Sequence, residues 1–129
     1  MGFSFEKAVE KIEIRFDDYC DDGEGAVAQE LKHVFRRPSA DQIEKYDQIQ
    51  NRLGGQSDSR KAMNYLWKAS ILEVHGYEGI PGLDSSGAIE DIEKVKQFFM
   101  THDMAQTHVQ KAVMGLLMTV RMPGNMEKN

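Results

Sequence analysis

Alternating apolar and charged residues define the first readable segment of the chain. Ile12, Ile14 and Phe16 alternate with charged neighbours over positions 11–16, which is the period of a half-buried strand. Apolar positions return on one side of the stretch 27–37, and the acidic, glycine-bearing stretch 17–25 between them suits an exposed turn. The pattern therefore predicts an N-terminal antiparallel β-hairpin with a loose loop.

Helical spacing replaces this alternation after Pro38. A proline ends the strand, and Ser39 followed by Gln42 has the residue types of a capping box. Apolar residues then recur every three or four positions, which predicts four helices. The predicted ranges are 40–53, 59–75, 88–100 and 104–120. The pair Gly54-Gly55 ends the first helix and Gly76 ends the second. Thr101 is the predicted cap of the fourth helix, and Pro123 and Gly124 end it. The glycine-rich segment 76–87 is predicted to be an ordered loop.

These elements predict an α+β fold in which the hairpin packs on a bundle of about four helices. A length of 129 residues supports one domain with a real core. We assign that domain to residues 1–122 and predict a short polar C-terminal tail at 123–129.

Charge and composition narrow the possible partners. The net charge of −5 disfavours nucleic acid, because a phosphate backbone repels an acidic protein. No apolar run approaches the roughly 20 residues of a membrane span, and the N-terminal residues lack the apolar core of a signal peptide. A single cysteine, Cys20, excludes an intrachain disulfide. We expect a cytoplasmic protein that binds neither nucleic acid nor membranes.

The acidic loop and its cysteine do not match a known chemistry. The carboxylates between Asp17 and Glu24 lack the ligand spacing of an EF-hand. Cys20 lies among carboxylates, which disfavour the thiolate that a nucleophile needs. A solvated turn is the prediction for this segment.

The histidines near the last predicted helix are the other candidates for chemistry. His102, Asp103 and His108 could form part of a metal or hydrolase site, and a small metal-dependent enzyme is one alternative. However, residues six apart on a helix point about 120° away from one another, whereas a metal-binding pair usually has i, i+4 spacing. We therefore predict capping and surface roles for these three residues, and hydrogen-bonded structural roles for His33 and His75. No catalytic residue, metal ligand or cofactor is assigned.

Methionine is concentrated at the C-terminal end of the chain. Six of the eight methionines lie in the last thirty residues, and four of them step by four positions from Met114 to Met126. Methionine is flexible and polarisable, so such a flank can either fill a core or accept a partner. The candidate partner-binding residues are Met114, Leu117, Met118 and Met122.

Two short phrases carry a resemblance to a known family. One is Phe35-Arg36-Arg37-Pro38-Ser39, where a strand gives way to a helix, and the other is Val74-His75-Gly76-Tyr77. In this order the chain, from about residue 10 to about residue 120, resembles the small tail-assembly chaperones of tailed bacteriophages and prophages. The resemblance implies a protein of the bacterial cytoplasm that holds the long tape-measure protein soluble while tail-tube subunits polymerise around it. It implies tape-measure or tail-tube partners, and a homo-oligomer is compatible with it. A structural tail or connector component is the alternative within the same class.

Overall fold

An antiparallel hairpin forms the N-terminal part of the computed structural model, which describes residues 2–8, 10–51 and 56–121. A short 3-10 turn, Phe5–Lys7, precedes it. Strands β1 (Lys11–Asp21) and β2 (Ala26–Arg36) pair along their whole length. The predicted hairpin is confirmed, but the predicted loop at 17–25 is too long because β1 continues to Asp21. Backbone pairing does not require apolar side chains, so the acidic residues continue the ladder.

A third strand extends the sheet where a helix was predicted. Helix α2 (Gln56–Ser70) ends before the predicted limit of 75, and β3 (Ile71–His75) follows it. β3 pairs antiparallel to β2 and gives the sheet order β1-β2-β3. Ile71 and Val74 are β-branched and buried, and the edge of β2 offers them a ladder, so the helical pattern is overridden there.

The first helix begins as its sequence predicts. Helix α1 (Ala40–Gln50) has a complete capping box, in which Ser39 Oγ accepts from the Gln42 amide and the Gln42 side chain accepts from the Ser39 amide. The predicted end at residue 53, with the pair Gly54-Gly55, lies outside the described residues.

The last two helices begin at different residues from those predicted. Helix α3 (Ile92–Thr101) begins at Ile92 because the Asp91 carboxylate accepts from two amides of its first turn, while Ile89 forms an isolated bridge with Leu83. Helix α4 (Asp103–Arg121) is not capped by Thr101, which belongs to α3. His102 Nδ1 accepts from the Ala105 amide instead. The predicted terminators Pro123 and Gly124 lie outside the described residues.

The segment between β3 and α3 is an ordered loop, as predicted. Asp84 Oδ1 accepts from the amides of Ser86 and Ala88, and Gly82 has a φ of +95°. A Cβ on Gly82 would lie 2.4 Å from the Asp91 carbonyl oxygen, so the loop packs too closely for any other residue there.

The core lies between the inner face of the sheet and helices α2, α3 and α4. Its largest fully buried apolar side chains are Trp67, Phe35, Phe99, Leu66 and Leu116. Gly115 lets α4 approach β1, because a Cβ there would lie 2.8 Å from Ile14 Cγ2. The protein is therefore an α+β fold, with a three-stranded antiparallel sheet and four helices among the described residues. No helix in those ranges has the length and apolarity that crossing a membrane requires.

Candidate binding site

Five side chains from five parts of the chain form one continuous series of hydrogen bonds. Trp67 Nε1 lies 3.0 Å from His33 Nδ1, and His33 Nε2 lies 2.7 Å from the Tyr77 hydroxyl. That hydroxyl lies 2.9 Å from His108 Nδ1, and His108 Nε2 lies 2.6 Å from Asp18 Oδ2. This series, which we call the relay, runs from the buried core to the partly exposed carboxylate of Asp18.

The donor at the buried end fixes the direction of the relay. An indole N–H can only donate, so His33 Nδ1 accepts and the proton of the neutral imidazole lies on Nε2. That proton is donated to the Tyr77 oxygen. With His108 neutral, the Tyr77 hydroxyl donates to Nδ1 of His108, whose Nε2–H then donates to Asp18. With His108 in this neutral form, every hydrogen in the series points towards Asp18.

The sheet and one glycine position the members of the relay. Asp18 and His33 lie on the same face of the hairpin as Phe16, because side chains alternate along a strand. Tyr77 follows β3 directly after Gly76, which has a φ of +95°. A Cβ on Gly76 would lie 2.6 Å from the Glu30 carbonyl oxygen. Only glycine therefore lets the chain turn so close to β2 and deliver Tyr77 to the relay.

Burial controls the protonation of the inner members. Burial lowers the pKa of His33 to about 3, and the positive charge of a protonated His108 contributes in the same direction. Burial, followed by the negative charge of Asp18, raises the pKa of Tyr77. The inner members are therefore neutral donors and acceptors at physiological pH.

At the outer end of the relay, Asp18 is stabilised in its charged form, unlike the inner members. The hydrogen bond from His108 lowers the pKa of Asp18, and the hydrogen bond from the Tyr19 amide adds to this effect. Asp18 is thus held as a carboxylate, and the relay ends on a stable negative charge.

Aromatic rings surround the relay and exclude water from its inner half. The His33 ring lies edge-on to the rings of Trp67, Tyr77 and Phe99, with centroids 5.5 to 6.0 Å away. Phe16 contacts both histidines of the relay, at 5.2 Å from His33 and 5.3 Å from His108. Such contacts fix the planes of the imidazoles as well as burying them.

A cavity of about 750 Å³ opens beside the outer end of the relay. We call it the hairpin cavity, because the turn end of the hairpin forms one of its walls. Cys20, Val27 and Gln29 line it from the hairpin, while the loop after β3 contributes Gly76 to Glu78 and Ile80. The junction of α3 and α4 forms the remaining wall. The lining residues there are Phe98, Phe99, His102, Met104, Ala105 and His108.

The capping or surface role predicted for His108 is wrong, because its side chain is only 12% exposed and both of its ring nitrogens are hydrogen-bonded within the relay. His102 and His108 both line the hairpin cavity, but the partner of His108 is Asp18, which is ninety positions away, and not Asp103. His102 stacks on Phe98 with centroids 4.8 Å apart and caps α4, as its predicted capping role requires. In the described ranges no group of three or more His, Cys, Asp or Glu side chains is arranged to hold a metal ion.

Apart from His33, the remaining predicted residues lie outside the relay. His33 is a hydrogen-bonded buried histidine, as predicted, and His75 pairs with Glu73 at 2.9 Å. Cys20 is free and exposed on β1. In the acidic loop, Asp21 and Asp22 accept from the amides of Gly23 and Glu24, so these carboxylates stabilise the turn.

The predicted methionine flank lies on the outside of α4. Met114 and Met118 are 55% and 52% exposed, and Leu117 between them is partly buried against the core. Met122 lies outside the described residues.

Sequence reasoning missed Asp18, Trp67 and Tyr77 as members of one site. Their separation along the chain gives no spacing signal, since the relay is built by tertiary packing. The only local signal is Gly76 immediately before Tyr77.

No family model matches the chain, and neither a curated protein nor a solved structure matches it significantly.

Proposed function

We propose that this protein acts by binding another protein, as a non-catalytic tail assembly chaperone of a phage or prophage. Its client-binding surface is the methionine surface, which comprises Met114, Leu117 and Met118 on α4. The observation that carries the proposal is that Met114 and Met118 are 55% and 52% exposed, while Val113 and Leu116 on the other face of the same helix have no exposure.

The exposed methionines are not needed to close the core. The core face of α4 is already complete with Val109, Ala112, Val113 and Leu116, all without exposure. Single exposed apolar residues are common, but residues four apart on a helix are neighbours and form one patch. The mean hydropathy of the chain is −0.55, so such a patch stands out on a polar surface. Flexible thioethers suit a partner whose shape varies.

The hydrogen bonding of His108 supports a role without catalysis. A general base needs a free lone pair that faces its substrate. In the relay, Nδ1 of His108 is bonded to Tyr77 and Nε2 to Asp18. Both nitrogens are thus used to hold the fold together.

The identity of the client rests on the resemblance to tail-assembly chaperones. The phrase from Phe35 to Ser39 joins β2 to the cap of α1, and the phrase from Val74 to Tyr77 delivers the central residue of the relay. Both phrases therefore have structural roles in this fold. The proposed clients are the tape-measure protein or the tail-tube protein.

Co-expression with a phage tape-measure protein tests the proposal. We expect the wild-type protein to keep that client in the soluble fraction and to co-purify with it. The double variant Met114→Glu, Met118→Glu should lose the client while keeping its own melting temperature, because both side chains are exposed. The matched control is Gln97→Glu, which adds a carboxylate at an exposed position of a different helix, α3, and should retain the client.

Two results would contradict the proposal. One is an insoluble client in the presence of the wild-type protein, and the other is equal capture by the double variant. Detection of the protein as a stoichiometric part of purified virions would favour the structural tail or connector component instead. Sedimentation of the wild-type protein and the double variant reports whether the same surface also forms a homo-oligomer.

A further inference from the structure

The hairpin cavity has the dimensions and the walls of a binding site. Its volume of about 750 Å³ is within the range of about 300 to 1,000 Å³ that is usual for ligand pockets. Phe98, Phe99, Ile80 and Leu31 give it apolar walls. Phe99, Ile80 and Leu31 are buried, so those walls are held rigidly.

The charge of the cavity has one sign. Four carboxylates line it, those of Asp18, Asp21, Asp22 and Glu78. Among the described residues that line it there is no lysine and no arginine. Lys111 of α4, which is outside the lining, also lowers the pKa of Asp18, but by less than His108 does.

The direction of the relay adds to this preference. Because His108 Nε2 donates to Asp18, the relay ends at the cavity on an acceptor with a full negative charge. Oδ1 of Asp18 accepts from the Tyr19 amide and Oδ2 from His108, which leaves one further lone pair on each oxygen. A bound cation with N–H donors would complete this set.

The apolar lining continues past the opening of the cavity. Val27 on the hairpin is 47% exposed, and Met104 at the start of α4 is 64% exposed. Both line the cavity and both extend to its solvent side. A small cation would leave them uncovered, whereas a segment of polypeptide with apolar neighbours beside its charge would cover them.

We propose that the hairpin cavity binds a basic segment of a partner protein, with a lysine or arginine side chain among the carboxylates and adjacent apolar residues on Val27 and Met104. This goes beyond the proposed client binding, because it concerns a different surface and a defined chemistry. The methionine surface lies further along α4 and lines no part of the cavity.

Fluorescence anisotropy with a labelled synthetic peptide tests the proposal. The probe is a short peptide that alternates leucine with arginine, and the matched probe has citrulline, a neutral isostere, in place of each arginine. We expect the arginine peptide to bind about tenfold more tightly than the citrulline peptide at low salt, and the difference to shrink as salt is added. Equal affinities for the two peptides would overturn the proposal.

Charge-neutral variants locate the peptide on the protein. Asp22→Asn with Glu78→Gln should weaken binding of the arginine peptide about tenfold, since each removed contact between charges is worth up to about fivefold near a surface. The asparagine keeps the side-chain oxygen that accepts from the Glu24 amide, so the turn is retained. Glu44→Gln with Glu90→Gln removes the same charge outside the cavity and should leave the affinity unchanged. Equal weakening by the two pairs would overturn the assignment.

Three further measurements separate this proposal from other occupants and from client binding. The double variant Met114→Glu, Met118→Glu should bind the arginine peptide normally even though it loses the client, and loss of peptide binding would overturn the assignment to the cavity. Spermine should compete only weakly, and full displacement at matched charge would assign the cavity to small cations. A dimer that dissociates in the Asp22→Asn, Glu78→Gln variant would assign it to a second copy of the chain.

Discussion

The two halves of the β-hairpin share one ladder and differ in what lies beneath them. In the proximal half, residues 11–16 and 31–36, the inner face packs on α4 and the core, and Phe35 and His33 have no exposure. In the distal half, residues 17–21 and 26–30, all residues are exposed except Asp18, which is partly exposed. The same backbone pairing thus carries core side chains at one end and exposed side chains at the other. The relay crosses the boundary between the two halves, with His33 in the proximal half and Asp18 in the distal half.

The largest expected effect lies in the proximal half. His33→Ala removes a buried ring that contacts five aromatic neighbours and leaves the Trp67 N–H without its acceptor. We expect the free energy of unfolding to fall by about 4 kcal/mol, measured by urea denaturation. His75→Ala, on the exposed end of β3, is the matched control and should cost less than about 0.5 kcal/mol. A loss below about 1 kcal/mol for His33→Ala would show that the proximal half does not depend on the relay.

The pH dependence of stability tests the burial of His33 without a mutation. The pKa of His33 is about 3 in the folded protein and about 6.5 in the unfolded chain, so between these values only the unfolded chain binds the proton. Stability is therefore complete above about pH 6.5 and falls as the pH is lowered towards 3. From pH 7 to pH 4 the expected loss is about 3 kcal/mol, measured by urea denaturation at each pH.

A variant of Asp18 identifies the group responsible for this pH dependence. The lowered pKa of Asp18 gives a contribution that is present above about pH 4 and is lost as the pH falls through its folded pKa. Asp18→Asn should therefore keep the loss between pH 6.5 and 4. A flat profile in the wild-type protein over that interval would contradict the assignment to His33.

A smaller effect is expected at the boundary itself. Tyr77→Phe removes the hydroxyl that joins His33 to His108 and leaves both imidazoles with one partner fewer. We expect a loss of about 1 to 2 kcal/mol in the free energy of unfolding. Tyr19→Phe removes a hydroxyl from an exposed residue of the distal half and should change stability by less than about 0.5 kcal/mol. Equal losses of unfolding free energy in the two variants would contradict the expectation that the relay stabilises the fold more than the distal half does.

The smallest effect is expected at the distal end. Val27→Thr replaces an exposed side chain with one of similar shape, so thermal or urea unfolding should shift by less than about 0.5 kcal/mol. Ala62→Thr is the contrasting change, because Ala62 has no exposure and the core must then accept a larger polar group. A loss above about 1 kcal/mol for Val27→Thr would mean that the distal half contributes to the core.

The sequence was most informative where local chemistry decides the structure. The capping box at Ser39, the alternation from Ile12 to Phe16 and the glycines of the loop before α3 all act through near neighbours, and the structure has them as predicted. The pattern failed at Ile71–His75, where the free edge of β2 decides between helix and strand. It also failed at Thr101, because His102 offers a capping acceptor that the residue types did not suggest.

The candidate site was far less predictable than the fold. His108 was noticed because of a neighbouring aspartate in the sequence, yet its carboxylate is supplied by Asp18 through tertiary packing. No periodicity connects Asp18, Tyr77 and Trp67, since each comes from a different element. The exposure of Met114 and Met118 was also open, because the same helical spacing fits a core and a surface.

The contact of Gly115 with Ile14 links the order of synthesis to the order of folding. The first strand leaves the ribosome early, whereas the helix that covers its inner face is made after all the other described elements. Ile14 and Phe16 therefore lack their contacts with α4 until that helix has been synthesised. The relay also needs α4, because His108 belongs to it. We expect a nascent chain that lacks α4 to be a substrate for molecular chaperones. A protein that we propose to be a chaperone would then itself need chaperones during its synthesis.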